Sequence, residues 1–116
     1  MKTSFNMCFS TLRWKTHNLE PALAALKKSG WDSWEGRLPI NELGTPRRLR
    51  GICERVGLPL SVYTANGAPE APSSDSGELN RRRMDFAAEM EVDCFMFMTG
   101  GKPEGRPVSD DDIKVA

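Results

Sequence analysis

Residues 45–64 read TPRRLRGICERVGLPLSVYT, and this stretch predicts one complete helix followed by one strand. Thr45 is a residue type that caps helix N-termini, and Pro46 suits the first helical position because its missing N–H would have no partner there. Apolar residues at helical spacing form one stripe, and Gly57 is typical of the residue that ends a helix. Residues 58–64 are apolar enough for a strand, so a helix leads directly into a sheet.

The same alternation recurs along the chain. Apolar runs begin near Ser4, Trp31, Leu58 and Val92, and their spacing of about thirty residues is that of one βα unit. Sequential βα units predict an α/β fold with a parallel sheet, either part of a barrel or an open doubly wound sheet. We expect residues 1–116 to form a single domain that is truncated after its fourth strand.

The elements between these runs are also marked. Asn18 predicts the start of a first helix, and a third helix is expected to turn Leu79, Phe86 and Met90 toward the core. Between the third strand and this helix, residues 65–77 are rich in turn-forming and small polar residues, which predicts a long surface loop.

Composition excludes several classes of function. A chain of 116 residues with 39% hydrophobic and 28% charged residues can bury one core of ordinary size. Sixteen basic and sixteen acidic residues cancel, so no overall field favours nucleic acid or a membrane surface. The basic clusters at 47–50 and 81–83 are interpreted as solvated helix faces. Neither a signal peptide nor a transmembrane segment is evident, so we expect a cytoplasmic protein.

The three cysteines do not indicate a metal site. Cys8, Cys53 and Cys94 are far apart and lack the paired spacing of zinc ligands. All three lie in apolar runs or on an apolar helix stripe, so we expect small buried thiols in a reducing compartment. The apolar run at residues 92–98 predicts a strand buried on both faces.

Residues 30–35, GWDSWE, resemble the glycine–aromatic–Asp–x–apolar–Glu signature at the second strand of the sugar phosphate isomerase/epimerase family, the xylose-isomerase-like TIM barrels. The end of the first run at Phe9-Ser10, the entry at Gly57-Leu58 and the approach at residues 93–95 agree in order and spacing. The resemblance implies the N-terminal half of a (β/α)8 TIM barrel, with four sequential parallel strands and about three and a half helices.

In barrels of this type, the reacting groups lie on the loops that follow the C-terminal ends of the strands. Glu35 is therefore the candidate catalytic residue, although it is equally expected only to pair with Arg37 or Arg13 at the rim. For the histidine candidate the alternative is a surface role, and for the aromatic candidates it is packing at the strand ends. The candidate substrate-binding residues are His17, Trp14, Arg37, Tyr63 and Thr99, and no metal ligand is assigned.

The resemblance implies isomerisation between an aldose and a ketose, or epimerisation, of a small sugar or sugar phosphate. A divalent metal (Mn, Mg, Co or Zn) is expected only in a complete barrel, because the family draws its metal ligands and its catalytic glutamates mainly from later strands. We therefore expect a fragment that is inactive alone, and whether this chain is itself an enzyme stays open.

Two other classes of protein also stay open. One is a half-barrel binding or assembly module that completes its sheet by forming a homodimer through exposed sheet edges. The other is a small stand-alone α/β domain with an open sheet, which would place helices on both faces and a ligand at a switch point in the strand order.

Overall fold

A computed structural model describes residues 5–11, 14, 18–65, 74–97, 105–107 and 109–111. Its elements are β1 (Cys8–Ser10), α1 (Leu19–Lys28), β2 (Ser33–Gly36), α2 (Ile40–Leu43), α3 (Pro46–Val56), β3 (Leu60–Thr64), α4 (Ser74–Glu89) and β4 (Cys94–Met96). The four strands form one parallel sheet in the order β1-β2-β3-β4. The prediction of an α/β fold with sequential parallel strands is confirmed.

The helix predicted from residues 45–64 forms as expected. The Thr45 hydroxyl accepts a hydrogen bond from the Arg48 backbone N–H at 3.1 Å, and Pro46 occupies the first turn. Gly57 ends the helix in the left-handed conformation with φ 76°, which a glycine adopts without steric cost. The stripe residues Leu49 and Ile52 are buried against the sheet.

Replacing Thr45 with alanine is expected to lower the free energy of unfolding by about 0.5–2 kcal/mol, because one N–H of the first turn loses its acceptor. Urea denaturation monitored by circular dichroism measures the change. Thr45→Ser keeps the acceptor oxygen and should stay close to the parent protein. An alanine variant as stable as the serine variant would contradict the capping role.

Strand β3 contains one extra residue, which decides the face on which each of its side chains lies. Leu60 pairs with Trp34 and Val62 pairs with Glu35, so Ser61 is a bulge that has no partner on β2. Without the bulge, strict alternation would put Leu60 and Val62 on the same face. With it, Leu60 joins Trp34 on one face while Val62 joins Glu35 on the other.

One face, called here the helix side, carries the core. Trp34 and Tyr63 are fully buried there, in one cluster with Leu23 of α1, Leu49 of α3 and Phe86 of α4. The Tyr63 hydroxyl donates to the Leu38 carbonyl at 2.8 Å, which fixes the ring beneath the β2–α2 connection. The one-sided apolar stripes of the helices therefore meet a single face of the sheet, as the sequence predicts.

The opposite face is called here the inner face. The prediction that all three thiols are buried is wrong, because two of them lie on this face. Cys53 is buried in α3, whereas Cys8 and Cys94 are exposed. Both exposed thiols lie on the inner face, opposite the helix core, although Ser33 and Thr64 on the same face are buried. For the same reason β4 is not buried on both faces. Phe97, just beyond β4, is also 45% exposed.

Two further predictions are wrong, one on where a strand begins and one on which residue of a helix is buried. Strand β2 begins at Ser33 rather than Trp31, because its pairing with β1 starts at Cys8 and Ser33. Leu79 of α4 is 41% exposed, while the side chain of Arg83 takes an inward position of that helix. None of the described helices is both long enough and apolar enough to cross a lipid bilayer.

Candidate functional site

Glu35 lies near the carboxyl end of β2 on the inner face and is bound by neighbours from several segments. Arg37 Nε donates to Glu35 Oε1 at 2.5 Å, and the Thr64 hydroxyl donates to the same oxygen at 2.9 Å. The exposed fractions of the two charged side chains are 13% for Glu35 and 19% for Arg37. We call these two residues the rim pair.

The environment keeps Glu35 ionised. Partial burial alone raises its pKa, but hydrogen bonds from Ser10, Thr64 and Arg37, together with the positive charge of Arg37, outweigh burial. The net pKa is therefore lower than the ordinary value for a glutamate. A carboxylate of this kind accepts hydrogen bonds at neutral pH and does not serve as a proton donor.

The backbone around the rim pair is also fixed. Thr11, which follows β1, is only 1% exposed and donates to the Glu35 carbonyl from its hydroxyl at 2.6 Å and from its N–H at 3.3 Å. Thr11 therefore fixes the backbone of Glu35 from the β1 side, and Thr64 of β3 fixes its carboxylate. A carboxylate held in this way loses little conformational freedom on binding.

The lowered pKa of Glu35 predicts a pH effect on stability. Its folded pKa lies below the unfolded value, so the stabilisation is present above the unfolded pKa and is lost as the pH falls through the folded pKa. We expect Glu35→Gln to lose less stability than the parent protein on acidification below about pH 4.5. Urea unfolding across this pH range tests the prediction, with Glu42→Gln as control; parallel curves for Glu35→Gln and the parent would contradict it.

Of the other predicted site residues, Arg37 belongs to the rim pair, and the two aromatic residues that the structure describes have packing roles. Trp14 is half-buried and packs its ring 5.9 Å from that of Phe9, which faces the helix side. Tyr63 is fully buried on that side, so its hydroxyl is not presented to the inner face. His17, Thr99 and Arg13 lie outside the described residues.

Three further residues matter to this arrangement. Thr11 directly follows β1 and Thr64 is the last residue of β3, so both occupy strand-end positions where the sequence places reacting groups, although neither is among the candidate substrate-binding residues. Arg83 was assigned to a solvated cluster together with its neighbours Arg81 and Arg82. It is instead 7% exposed, because the helical turn directs position 83 toward Tyr63 while positions 81 and 82 face solvent.

The described residues do not fit a divalent-metal site. They contain no group of three histidine, cysteine or acidic side chains placed to share an ion. Glu35 is already occupied by Arg37 and Thr64 on one oxygen.

Cavities on the described surface include one of each of two sizes. The larger, of about 600 Å³, is lined by Gly57, Pro59 and Asp93, near the amino ends of β3 and β4 and away from the rim pair. The smaller, of about 410 Å³, lies between α2 and α4. The rim pair itself stands at the carboxyl edge of the sheet, where parallel barrels carry their reacting groups.

Comparisons with known proteins show the fold. No protein-family model matches this chain, and no curated protein sequence is significantly similar. Among solved structures, the chain is similar to apo 3-keto-D-glucoside 4-epimerase, YcjR, from E. coli, with a TM-score of 0.67 and 17% sequence identity. The likeness covers 97% of this chain and 48% of that one. The chain therefore spans about half the length of a TIM-barrel enzyme and has the architecture of half a barrel.

Proposed function

We propose that this chain is the N-terminal, sugar-binding half of a sugar isomerase-like or epimerase-like barrel, and that the rim pair contacts sugar hydroxyls. The observation that carries the proposal is the position of the rim pair, at the carboxyl edge of a half-barrel sheet and on its inner face. The likeness in fold to a 3-keto-D-glucoside 4-epimerase and the GWDSWE motif support a sugar as the ligand.

The chemistry of the rim pair suits a polyol. An ionised carboxylate accepts hydrogen bonds from sugar O–H groups, and a guanidinium donates to sugar oxygens. Glu35 is held by Thr64 and Arg37, so little freedom is lost when a sugar binds. Proton transfer beside a carbonyl also needs a base of suitable pKa and preorganised positive charge. The lowered pKa of Glu35 suits accepting hydrogen bonds rather than donating a proton, and we expect no turnover from these residues alone.

Nuclear magnetic resonance titration of the 116-residue chain tests the proposal, with an aldohexose, its ketose isomer and a hexose phosphate as probes. We expect saturable shifts at the amides of Glu35 and Thr64, and weaker binding by Glu35→Gln. Glu42→Gln, which removes an exposed carboxylate of α2, should bind like the parent protein. Absence of saturable shifts with every sugar, or equal loss in both variants, would refute sugar binding at the rim pair.

A second candidate function is supported by the edges of the sheet. β1 and β4 are its outer strands, and large apolar side chains are exposed beside both of them. Phe5 is 81% and Met7 49% exposed next to β1, and Phe97 is 45% exposed next to β4. Exposed apolar groups beside unpaired strand edges favour association, so two copies are a candidate for a closed sheet of eight strands.

The exposed thiols provide a direct test of this assembly. Within one molecule, Cys8 and Cys94 lie on strands separated by two others, about 14 Å apart by strand spacing. A bismaleimide with a shorter linker should therefore join them only between copies, at a β1–β4 contact. Covalent dimers that disappear in both Cys8→Ser and Cys94→Ser, with a dimeric mass in solution, would support assembly. A monomeric mass without cross-linking would refute it.

A further inference from the structure

Arg83 is an unusual feature of the helix side because it is a buried cation. Arg83 is only 7% exposed, and its Nη1 donates to the Thr64 carbonyl at 2.7 Å. The guanidinium carbon lies 5.2 Å from the centre of the Tyr63 ring. The carbonyl and the ring face are both weakly negative groups, and neither carries a full charge.

A buried guanidinium ordinarily has a carboxylate partner, because removing an unpaired charge from water is costly. Arg83 forms no ion pair with any carboxylate in the described part of the chain. Its neighbour Arg82 does form one, with Glu78 at 2.7 Å. A guanidinium has five N–H donors in a planar fork, and the Thr64 carbonyl accepts from only one of its nitrogens.

Arg83 also lines a cavity of about 410 Å³ between α2 and α4. The remaining lining combines apolar and polar groups: Pro39, Ile40, Asn41, Leu79 and Arg82. Apolar walls with a few polar groups, at a volume within the usual range of about 300–1,000 Å³, are typical of small-molecule sites. Because Arg83 packs on Tyr63, the cavity lies on the helix side of the sheet, opposite the rim pair.

We propose that this cavity binds a small molecule bearing one oxyanion group, a phosphate or a carboxylate, with the anion seated on Arg83. The planar fork of a guanidinium matches the oxygens of either group, and a partly buried site strengthens the contact. Ile40 and Leu79 would hold the apolar part of the ligand, and the Asn41 amide would donate to its oxygens. The proposal is independent of sugar binding at the rim pair, because the two sites occupy opposite faces.

Titration of the whole chain with inorganic phosphate and with acetate tests the proposal, with sodium chloride at matched ionic strength as the reference. We expect a saturable shift of the Arg83 side-chain Nε–H signal with phosphate or acetate and none with chloride. Tighter binding of phosphate assigns a phosphate-bearing ligand, and tighter binding of acetate assigns a carboxylate-bearing one. Shifts no larger than those with chloride would overturn the proposal.

Two variants of similar size separate specific binding from general attraction of anions. Arg83→Gln should lose about tenfold or more in affinity, whereas Arg82→Gln, which removes the other cation of the cavity, should lose much less. Equal losses would overturn the assignment to Arg83.

If Arg83→Gln does not fold, Asn41→Asp provides the test, because a carboxylate in the cavity would repel the bound anion and pair with Arg83 in its place. We expect it to abolish the phosphate or acetate shift, and an unchanged affinity would overturn the proposal.

Discussion

Trp34→Ala is expected to lower the free energy of unfolding by about 3–5 kcal/mol. The Trp34 side chain is fully buried at the centre of the helix side, in one cluster with side chains of α1, α3 and α4. Alanine would leave a cavity that the surrounding helices and strands cannot close without moving together. Urea denaturation measures the loss, which is a large fraction of the roughly 5–15 kcal/mol by which folded domains are stable.

Trp34→Phe is the matched control, since it retains a ring at the same place. Trp34 Nε1 is buried without a hydrogen-bond partner in the described structure, and an unsatisfied buried donor costs about 1–3 kcal/mol. Phenylalanine removes that donor while leaving a smaller void, so its loss of stability should be much less than that of alanine. Equal losses for the two variants would show that the ring is not packed as described.

Ionisation of Tyr63 is expected to occur near pH 12 in the folded protein. Burial raises the pKa of Tyr63 from 10.0 to about 12, and the positive charge of Arg83 offsets burial only in part. Tyr63 is the single tyrosine of the chain, so the ultraviolet absorbance of tyrosinate reports this residue alone. A spectrophotometric pH titration should give the raised value in buffer and an ordinary value in concentrated urea.

The same shift predicts a loss of stability in alkali. The folded state favours the neutral phenol, so full stability is present below the unfolded pKa and is lost as the pH rises from about 10 toward 12. Tyr63→Phe cannot ionise and should show a flatter decline, although it also loses the hydrogen bond to Leu38. A native midpoint near pH 10 would contradict the burial of the ring.

Local signals in the sequence predicted much of the fold. Helix caps act within one helical turn, so the effects of Thr45, Pro46 and Gly57 can be predicted without knowledge of the rest of the chain. The parallel strand order followed from the spacing of the βα units, because such units have short connections and fixed handedness. The exposure of Cys8 and Cys94 could not be predicted, since it depends on whether other parts of the chain cover the inner face.

In the candidate site, too, the contact between residues close in sequence was predicted and the contacts between distant residues were not. Glu35 and Arg37 are two residues apart at the end of one strand, and their pairing was one of the outcomes expected from sequence. The contact of Glu35 with Thr64 depends on the bulge at Ser61, which sets the register between β2 and β3. Periodicity cannot locate a one-residue bulge. Arg83 does lie on the predicted apolar stripe, four residues after Leu79 and three before Phe86, but its charge favoured an assignment to solvent. Arg83 was therefore missed.

Thr64 holds groups on both sides of the sheet through different atoms. Its hydroxyl binds Glu35 on the inner face, and its carbonyl accepts from Arg83 on the helix side. Thr64 therefore contacts a group of each candidate site. If an occupant of one face shifts the Thr64 backbone and so changes the affinity of the other face, thermodynamic reciprocity requires an equal factor in return. A single isotope label at Thr64 would report on both faces at once.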